Sequence, residues 1–339
     1  MPESEPKTEL KKISFEGGEI LADGQCLAWG LDNDSVEKVR GQEWLDSFYS
    51  NFEKKDIRNA PDASQIHNLF QNKNALCVVV GNGPSFHENI DSLKALCDKK
   101  RPFILACDRV FNKLCEHGIR PDLTITLDGQ ARVAEFFEKS YVCSNDYFVA
   151  MLTTHSDVIE KIGAGKIFWG GLAVHQKKNV DGPNTLTSPI WEEIYSKAGL
   201  RFYNTVGNYV VGDMATRLAA TMGFEGVVSL GNDLCFRDFK GDKYEGGYNK
   251  YPIVIKWDTG DRDYITTEPF LLAAMKFSEM PKIYPNTVFY DCSDAPIFDW
   301  NRGKLSDMVY EILTSEEEAY RVYNYRWQLQ KRHYYRHNG

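Results

Sequence analysis

The chain has 339 residues, of which 42% are hydrophobic and 26% charged, and its formal net charge is −8. That is an ordinary globular composition, long enough for one α/β domain with additions or for two domains. The acidic balance argues against an electrostatic nucleic-acid binder, the polar N-terminus against a secretory leader, and the absence of an apolar run of ~20 residues against a membrane-spanning helix.

Residues 1–12 are charged and read as a disordered tail. Residues 13–73 begin with a small hairpin around Gly17-Gly18 and Asp23-Gly24, and continue as a helical connector that includes Gln42–Phe52. At Asn74 the texture changes. "ALCVVV" is a continuous apolar strand of the kind buried on both faces of a parallel sheet. The turn Gly81-Asn82-Gly83-Pro84-Ser85 follows, then the amphipathic helix Ile90–Lys99.

Strands are predicted at Phe103–Cys107, in "IRPDLTITLD", and at Tyr147–Leu152 and Lys166–Trp169. They alternate with helices at Arg109–His117, near Arg132–Lys139 and from Asp157. This βαβα rhythm predicts an α/β, doubly wound, mostly parallel (Rossmann-like) sheet. Residues 170–203 read as an irregular insertion, and Asp213–Met222 as a helix whose Ala215, Ala219 and Ala220 permit close packing on the sheet. "GFEGVVSLGND" reads as another buried strand. Residues 237–265, rich in Gly and Tyr, read as a long functional loop. A helix at Pro269–Met280 and a strand at Thr287–Tyr290 close a domain spanning 74–300. The remainder, 301–339, is read as a helical tail with Ser315 as its N-cap. Its mixed basic and aromatic end is read as packing on the main domain or on a second subunit of a homo-oligomer, in preference to binding nucleic acid.

The eight cysteines form no C-x-x-C pair, so a zinc ribbon is not indicated. Cys77, Cys107 and Cys235 lie in or beside apolar strands and read as reduced core thiols of a cytoplasmic protein.

Ligands of open α/β sheets bind beyond the C-terminal strand ends. Asn82, Ser85, Asp108, Asp128, Asn232 and Asp233 all fall at that edge, and the repetition is what makes the pattern informative. Glycines at 81 and 83 let backbone N–H groups approach an anion, Ser85 offers a hydroxyl, and a helix N-terminus follows. The turn is neither a Walker A motif nor G-x-G-x-x-G. Taken alone it reads equally well as a phosphate loop or as a tight strand-to-helix turn. Thr205, Gly207 and Asn208 form a second candidate loop before a helix. Asp233 suits a ribose, a metal or a substrate hydroxyl, or a simple turn carboxylate. His87, His155 and His175 are candidate acid–base groups above the sheet edge.

In their order, "VVVGNGPSF", "IRPDLTITLD" and "TVGNYVVGDMATRLAATMGFEGVVSLGNDLCF" resemble the bacterial motility accessory factors. These are grouped with the archaeal 6-hydroxymethylpterin diphosphokinases and are more distantly similar to a class of bacterial sialyltransferases. "VFYDCSDAPIFDW" resembles the segment that closes the domain in motility accessory factors, so the likeness covers about residues 74–300. It implies a transferase in which Gly81, Asn82, Gly83, Pro84, Ser85, Thr205, Gly207 and Asn208 hold a nucleotide-activated donor, such as a CMP-sugar. It maps Asp108 and Asp128 to the second and third strand ends, and Gly231 and Asp233 to a Gly-x-Asp element. Val206 stands where the sialyltransferases have Ser, and Asp108 and Asp128 stand where they have Asn. Carboxylates facing a phosphate make Mg²⁺ plausible, with Asp108 and Asp128 as its ligands. Three functions follow from these readings. The first is a glycosyltransferase acting on a hydroxyl acceptor, with His155 or His175 as base. The second is a Mg²⁺-dependent diphosphokinase using ATP and a pterin-like alcohol. The third is a nucleotide-binding module without turnover.

Overall fold

The computed structural model describes residues 10–15, 18–23, 33–54, 57, 59–70, 76–171, 176–177, 185–186, 189–199, 210–236, 253–257, 264–293, 295, 297 and 300–307. Thr205, Val206, Gly207, Asn208, His175, Cys26 and the tail from residue 308 onward, Ser315 included, lie outside them.

In chain order the elements are β1 (Leu10–Phe15), β2 (Gly18–Asp23), α1 (Asn33–Lys54), α2 (Ile66–Phe70), β3 (Leu76–Val80), α3 (Pro84–Lys100) and β4 (Phe103–Cys107). Next come α4 (Phe111–Glu116), β5 (Leu123–Thr126), β6 (Tyr147–Met151), α5 (Ser156–Ile162), β7 (Lys166–Gly170), β8 (Gln176–Lys177), β9 (Thr185–Leu186) and α6 (Pro189–Ala198). The last are α7 (Val211–Thr221), β10 (Gly226–Leu230), β11 (Ile253–Trp257), β12 (Tyr264–Thr266), α8 (Glu268–Ile283), β13 (Val288–Asp291) and β14 (Asn301–Arg302).

Eight strands form one sheet in the order β14-β13-β10-β3-β4-β5-β6-β7, and every pairing in it is parallel. Burial on both faces explains the unbroken apolar runs. Cys77 and Val79 of β3 face a core that includes Met214, Ala215 and Ala219 of α7 and Phe277 of α8. Val78 and Val80 face a second core with Phe86, Leu93 and Leu96 of α3. The small alanines of α7 are buried, as their spacing predicts. Beyond β5 a third cluster joins Phe48 of α1, Phe148, Trp169 and Trp191. This is the doubly wound α/β arrangement.

The chain runs from β3 outward to β7 and then returns to place β10 on the other side of β3. That reversal is the switch point at which such sheets open a crevice.

Several predicted elements differ from the structure. Residues 131–136 form a 3-10 segment instead of an α-helix. The stretch read as an irregular insertion contains β8, β9 and α6, and Trp191, Ile194 and Tyr195 of α6 are core residues. Part of the predicted lid is β11 and β12, which join β1 and β2 in a separate antiparallel sheet of order β1-β2-β11-β12. The β-branched run Ile253-Val254-Ile255 in "YPIVIKW" is a strand signal that the neighbouring Gly and Tyr residues obscure. Among the described residues no helix is long and apolar enough to cross a membrane, and no disulfide is formed by the seven described cysteines.

Candidate functional site

The turn after β3 and the turn after β10 interlock at the switch point. Gly81 N–H donates to Leu230 O (2.7 Å) and Gly83 N–H to Gly231 O (2.7 Å). Gly231 N–H donates to Ser85 Oγ (3.0 Å), and Ser85 N–H to Asp233 Oδ2 (3.2 Å). The glycines are what let the two turns come this close. A Cβ on Gly81 would lie 2.5 Å from Asn232 Oδ1, and one on Gly83 would collide with Asp233 Oδ2. Gly231 also has φ +73°, a conformation that side chains other than glycine's rarely adopt.

This changes the chemistry expected of the first loop. The N–H groups at Gly81 and Gly83, expected to face an anion, are spent on the neighbouring turn, and the Ser85 hydroxyl, expected to face the donor, accepts from Gly231 N–H. Pro84 has no N–H, and Phe86 N–H returns to Gly83 O (3.1 Å). Among the described residues, Asn82 Oδ1 and Gln130 Oε1 at this edge are buried atoms without a hydrogen bond. An unmet buried acceptor costs ~1–3 kcal/mol, which a ligand hydroxyl or amine would recover.

Beneath the turns lies a buried polar network. Asn232 Nδ2 donates to Ser229 Oγ (3.0 Å), and Asn232 N–H donates to Ser293 Oγ (3.0 Å). Ser293 N–H in turn donates to Asp291 Oδ1 (2.8 Å). A Cβ on Gly212, in the first turn of α7, would meet Asn232, so this glycine also serves the close approach.

Asp291 ends β13 as Asp108 follows β4, and sequence reasoning missed it. The strand-end rule that singled out Asp108 would have found it, but the strand was taken to end at Tyr290. Asp291 is buried, and desolvation pushes its carboxyl up to about 7, with Asp233 adding to the rise and Arg302 opposing it. Arg302 in turn clamps the following loop through Ala295 O and Ile297 O (2.6 Å each) and donates to the Tyr264 hydroxyl (3.0 Å).

On the other side of β3, Asp108 is buried and raised to about 6, mainly by desolvation and further by the charge of Asp128. Its Oδ1 accepts from Arg109 N–H (2.8 Å) and its Oδ2 from Thr126 Oγ1 (3.3 Å). Asp128 Oδ1 accepts from Gln130 N–H (3.1 Å). Among the described residues no group of three or more His, Cys, Asp or Glu could enclose a metal. Asp108 and Asp128 are the carboxylates along this edge that could take part in holding Mg²⁺, an ion that binds one or two protein carboxylates and completes its shell with phosphate and water.

His155 does reach the sheet edge, and its N–H meets Asp128 O at 3.4 Å. Its Nδ1, however, accepts the Asp157 N–H (3.2 Å) as the N-cap of α5. A histidine whose Nδ1 lone pair is used this way carries its proton on Nε2 and presents a donor, so acting as a base there would cost the cap. His87 lies on α3 with its Nε2 3.1 Å from Lys113 Nζ. Its pKa is lowered first by partial desolvation and then by the charges of Lys113 and His117.

The structure therefore gathers Gly81, Asn82, Gly83, Ser85, Gly231 and Asp233 at one point, with Asp108 and Asp128 along the same edge. Three comparisons bear on identity. No curated protein sequence matches the chain. Among solved structures, that of the MAf glycosyltransferase from Magnetospirillum magneticum AMB-1 is similar with a TM-score of 0.54 and 18% identity. The match covers 78% of this chain and 38% of that one, and at this identity it reports a shared fold. The model of a family described as 6-hydroxymethylpterin diphosphokinase MptE-like matches residues 47–239. That is more than half of the chain, and the protein belongs to the MptE-like family.

Proposed function

We propose that the protein is a transferase whose nucleotide-activated donor sits over the switch point between β3 and β10, and that it moves a sugar from that donor to a hydroxyl acceptor. The observation that carries this reading is Asn82 Oδ1, a buried acceptor without a partner among the described residues, on a turn locked by its neighbour. Its complement is a hydroxyl or amine, such as a nucleoside supplies through its ribose or base. Phosphate oxygens, which only accept, do not satisfy it.

In glycosyl transfer the bond between the sugar and the donor phosphate breaks, a bond forms to the acceptor oxygen, and the acceptor proton must leave. Asp108, raised to about 6 by burial, is a carboxylate basic enough to take that proton near neutral pH. It is better suited than His155, whose lone pair caps α5. Asp233 holds the Ser85 amide and thereby fixes the donor turn.

A second reading is favoured by the Asp108–Asp128 pair and by the description of the matched family. In it, diphosphate passes from ATP to an alcohol, and the two carboxylates hold Mg²⁺. The ion would neutralise charge on the donor phosphates when bound.

The test is a thermal-shift series with CMP, CDP, UDP, GDP and ATP, each with Mg²⁺ and with EDTA, followed by product analysis with the nucleotide that stabilises most. Stabilisation by a pyrimidine nucleotide that persists in EDTA supports sugar transfer. Stabilisation by ATP that EDTA removes supports diphosphate transfer. No stabilisation by any of them refutes a nucleotide donor.

A further inference from the structure

Helix α1 contributes a side chain to the same edge. Leu45, Phe48, Tyr49 and Phe52 of α1 turn into the cluster beneath β6 and β7. Trp44, one residue earlier, is half-buried and lies over Gly129, immediately after Asp128. A Cβ on Gly129 would come within 2.8 Å of Trp44 Cδ1 and 3.4 Å of its Nε1. The absent side chain is therefore what admits the indole. Trp191 braces it from α6, with ring centroids 6.3 Å apart and planes tilted by 51°. Asn51, two turns further along α1, anchors the helix to the edge by donating to Thr154 O (2.7 Å). Gln130, next to Gly129, holds a buried acceptor, its Oε1, that has no hydrogen bond among the described residues.

Position separates this group from the donor turn. Gly129 follows β5, which is two strands from β3, or ~10 Å at the usual strand spacing. Asp108 lies between them, at the end of β4. A donor over the switch point would thus present its reactive end toward Asp108, with Trp44 and Gln130 on the far side.

Resting on the transferase reading above, we propose that Trp44, Gly129 and Gln130 form the acceptor subsite. They would take a ring-bearing alcohol whose flat face stacks on the indole and whose edge hydroxyl or amine donates to Gln130 Oε1. Aromatic faces hold both planar heterocycles and the CH faces of sugars, and the single acceptor atom selects for an edge donor.

The test uses the full chain labelled with 5-fluorotryptophan. Trp44→Phe identifies the Trp44 ¹⁹F resonance among the seven tryptophans. 6-Hydroxymethylpterin and methyl β-galactopyranoside are titrated separately, so that a heterocycle and a sugar are distinguished. Saturable movement of the Trp44 resonance with one of them is the expected result. Gln130→Leu should weaken that probe by about tenfold, the worth of one hydrogen bond at the upper end of its range. Gly129→Ala, which displaces the indole without removing it, should weaken it as well. If neither probe moves the Trp44 resonance, or if Gln130→Leu leaves the affinity unchanged, the subsite is wrong. Nucleotide thermal shifts on the same samples keep the two proposals apart. Nucleotide stabilisation without a Trp44 response overturns the subsite alone, while a Trp44 response without nucleotide stabilisation overturns the transferase reading and leaves a ring-binding site that is not an acceptor subsite.

Discussion

Replacing Gly83 by alanine tests the interlocked turns most directly. Gly83 has φ −78° and ψ 170°, a backbone conformation any residue adopts, so the substitution carries no conformational penalty. Its cost is steric. The new methyl would collide with Asp233 Oδ2 and come within 2.8 Å of Gly231 O. Both partners are backbone or buried carboxylate, without the slack of a long side chain. Overpacking of this kind costs ~1–3 kcal/mol, and displacing Asp233 from the Ser85 amide adds ~1–2 kcal/mol. We therefore expect Gly83→Ala to lose about 2–5 kcal/mol in urea unfolding followed by tryptophan fluorescence. Asp233→Ala alone should lose about 1–3 kcal/mol by orphaning the Ser85 amide. In the double variant the carboxylate that opposes the methyl is gone, so the combined loss should fall about 1–2 kcal/mol short of the sum, a coupling typical of residues in contact. Additivity to within about 0.5 kcal/mol would refute the packing described for these turns.

Other consequences are open to measurement. Asp291 has a folded pKa of about 7, against roughly 4 for a carboxyl in an unfolded chain. The native state therefore holds its proton more tightly, and the stability this confers is present below pH ~4 and is lost as pH rises through about 7. Asp291→Asn should flatten the decline in urea stability between about pH 4 and 7, and an unchanged slope would remove Asp291 as its source. Asp108→Asn should abolish any Mg²⁺-dependent part of a nucleotide thermal shift while leaving the protein folded; retention of the full Mg²⁺ effect would exclude Asp108 as a ligand. His155→Asn keeps a capping acceptor, so stability should hold to within about 0.5 kcal/mol and transfer to within a few-fold. A loss on the order of 10² or more in turnover by a stable variant would instead make His155 the base.

The central sheet was legible because parallel strands buried on both faces read as continuous apolar runs. "LCVVV", "FILAC" and "GVVSL" need no partner information to be seen, and the matched termini follow from Asp108 and Gly231 beginning the turns. The small sheet was not legible in full. Its β1–β2 and β11–β12 pairings are local, but β11 meets β2 only in three dimensions, and the Gly- and Tyr-rich surroundings mask its apolar run. The site was half legible for a similar reason. Glycines at 81, 83 and 231 announce close approach, yet sequence cannot say whether the thing approached is a phosphate or another turn, and here it is another turn. Trp44 and Asn51 escaped notice because they reach the edge from a helix far from it in the chain.

The hairpin of β1 and β2 pairs with β11, Leu21 opposite Val254 and Ile20 opposite Ile255. Between these partners in the chain lies nearly all of the central sheet, β3 to β10. Closing so long a loop is entropically expensive until the intervening sheet is in place, so this pairing belongs late in folding. Until it forms, β11, whose sequence begins Ile-Val-Ile, presents an unpaired edge opposite β12, the arrangement that invites pairing with another chain. The hairpin is thus a seal as well as a strand pair, and a chain shortened by its first two strands would be at risk of aggregating even with its central sheet intact.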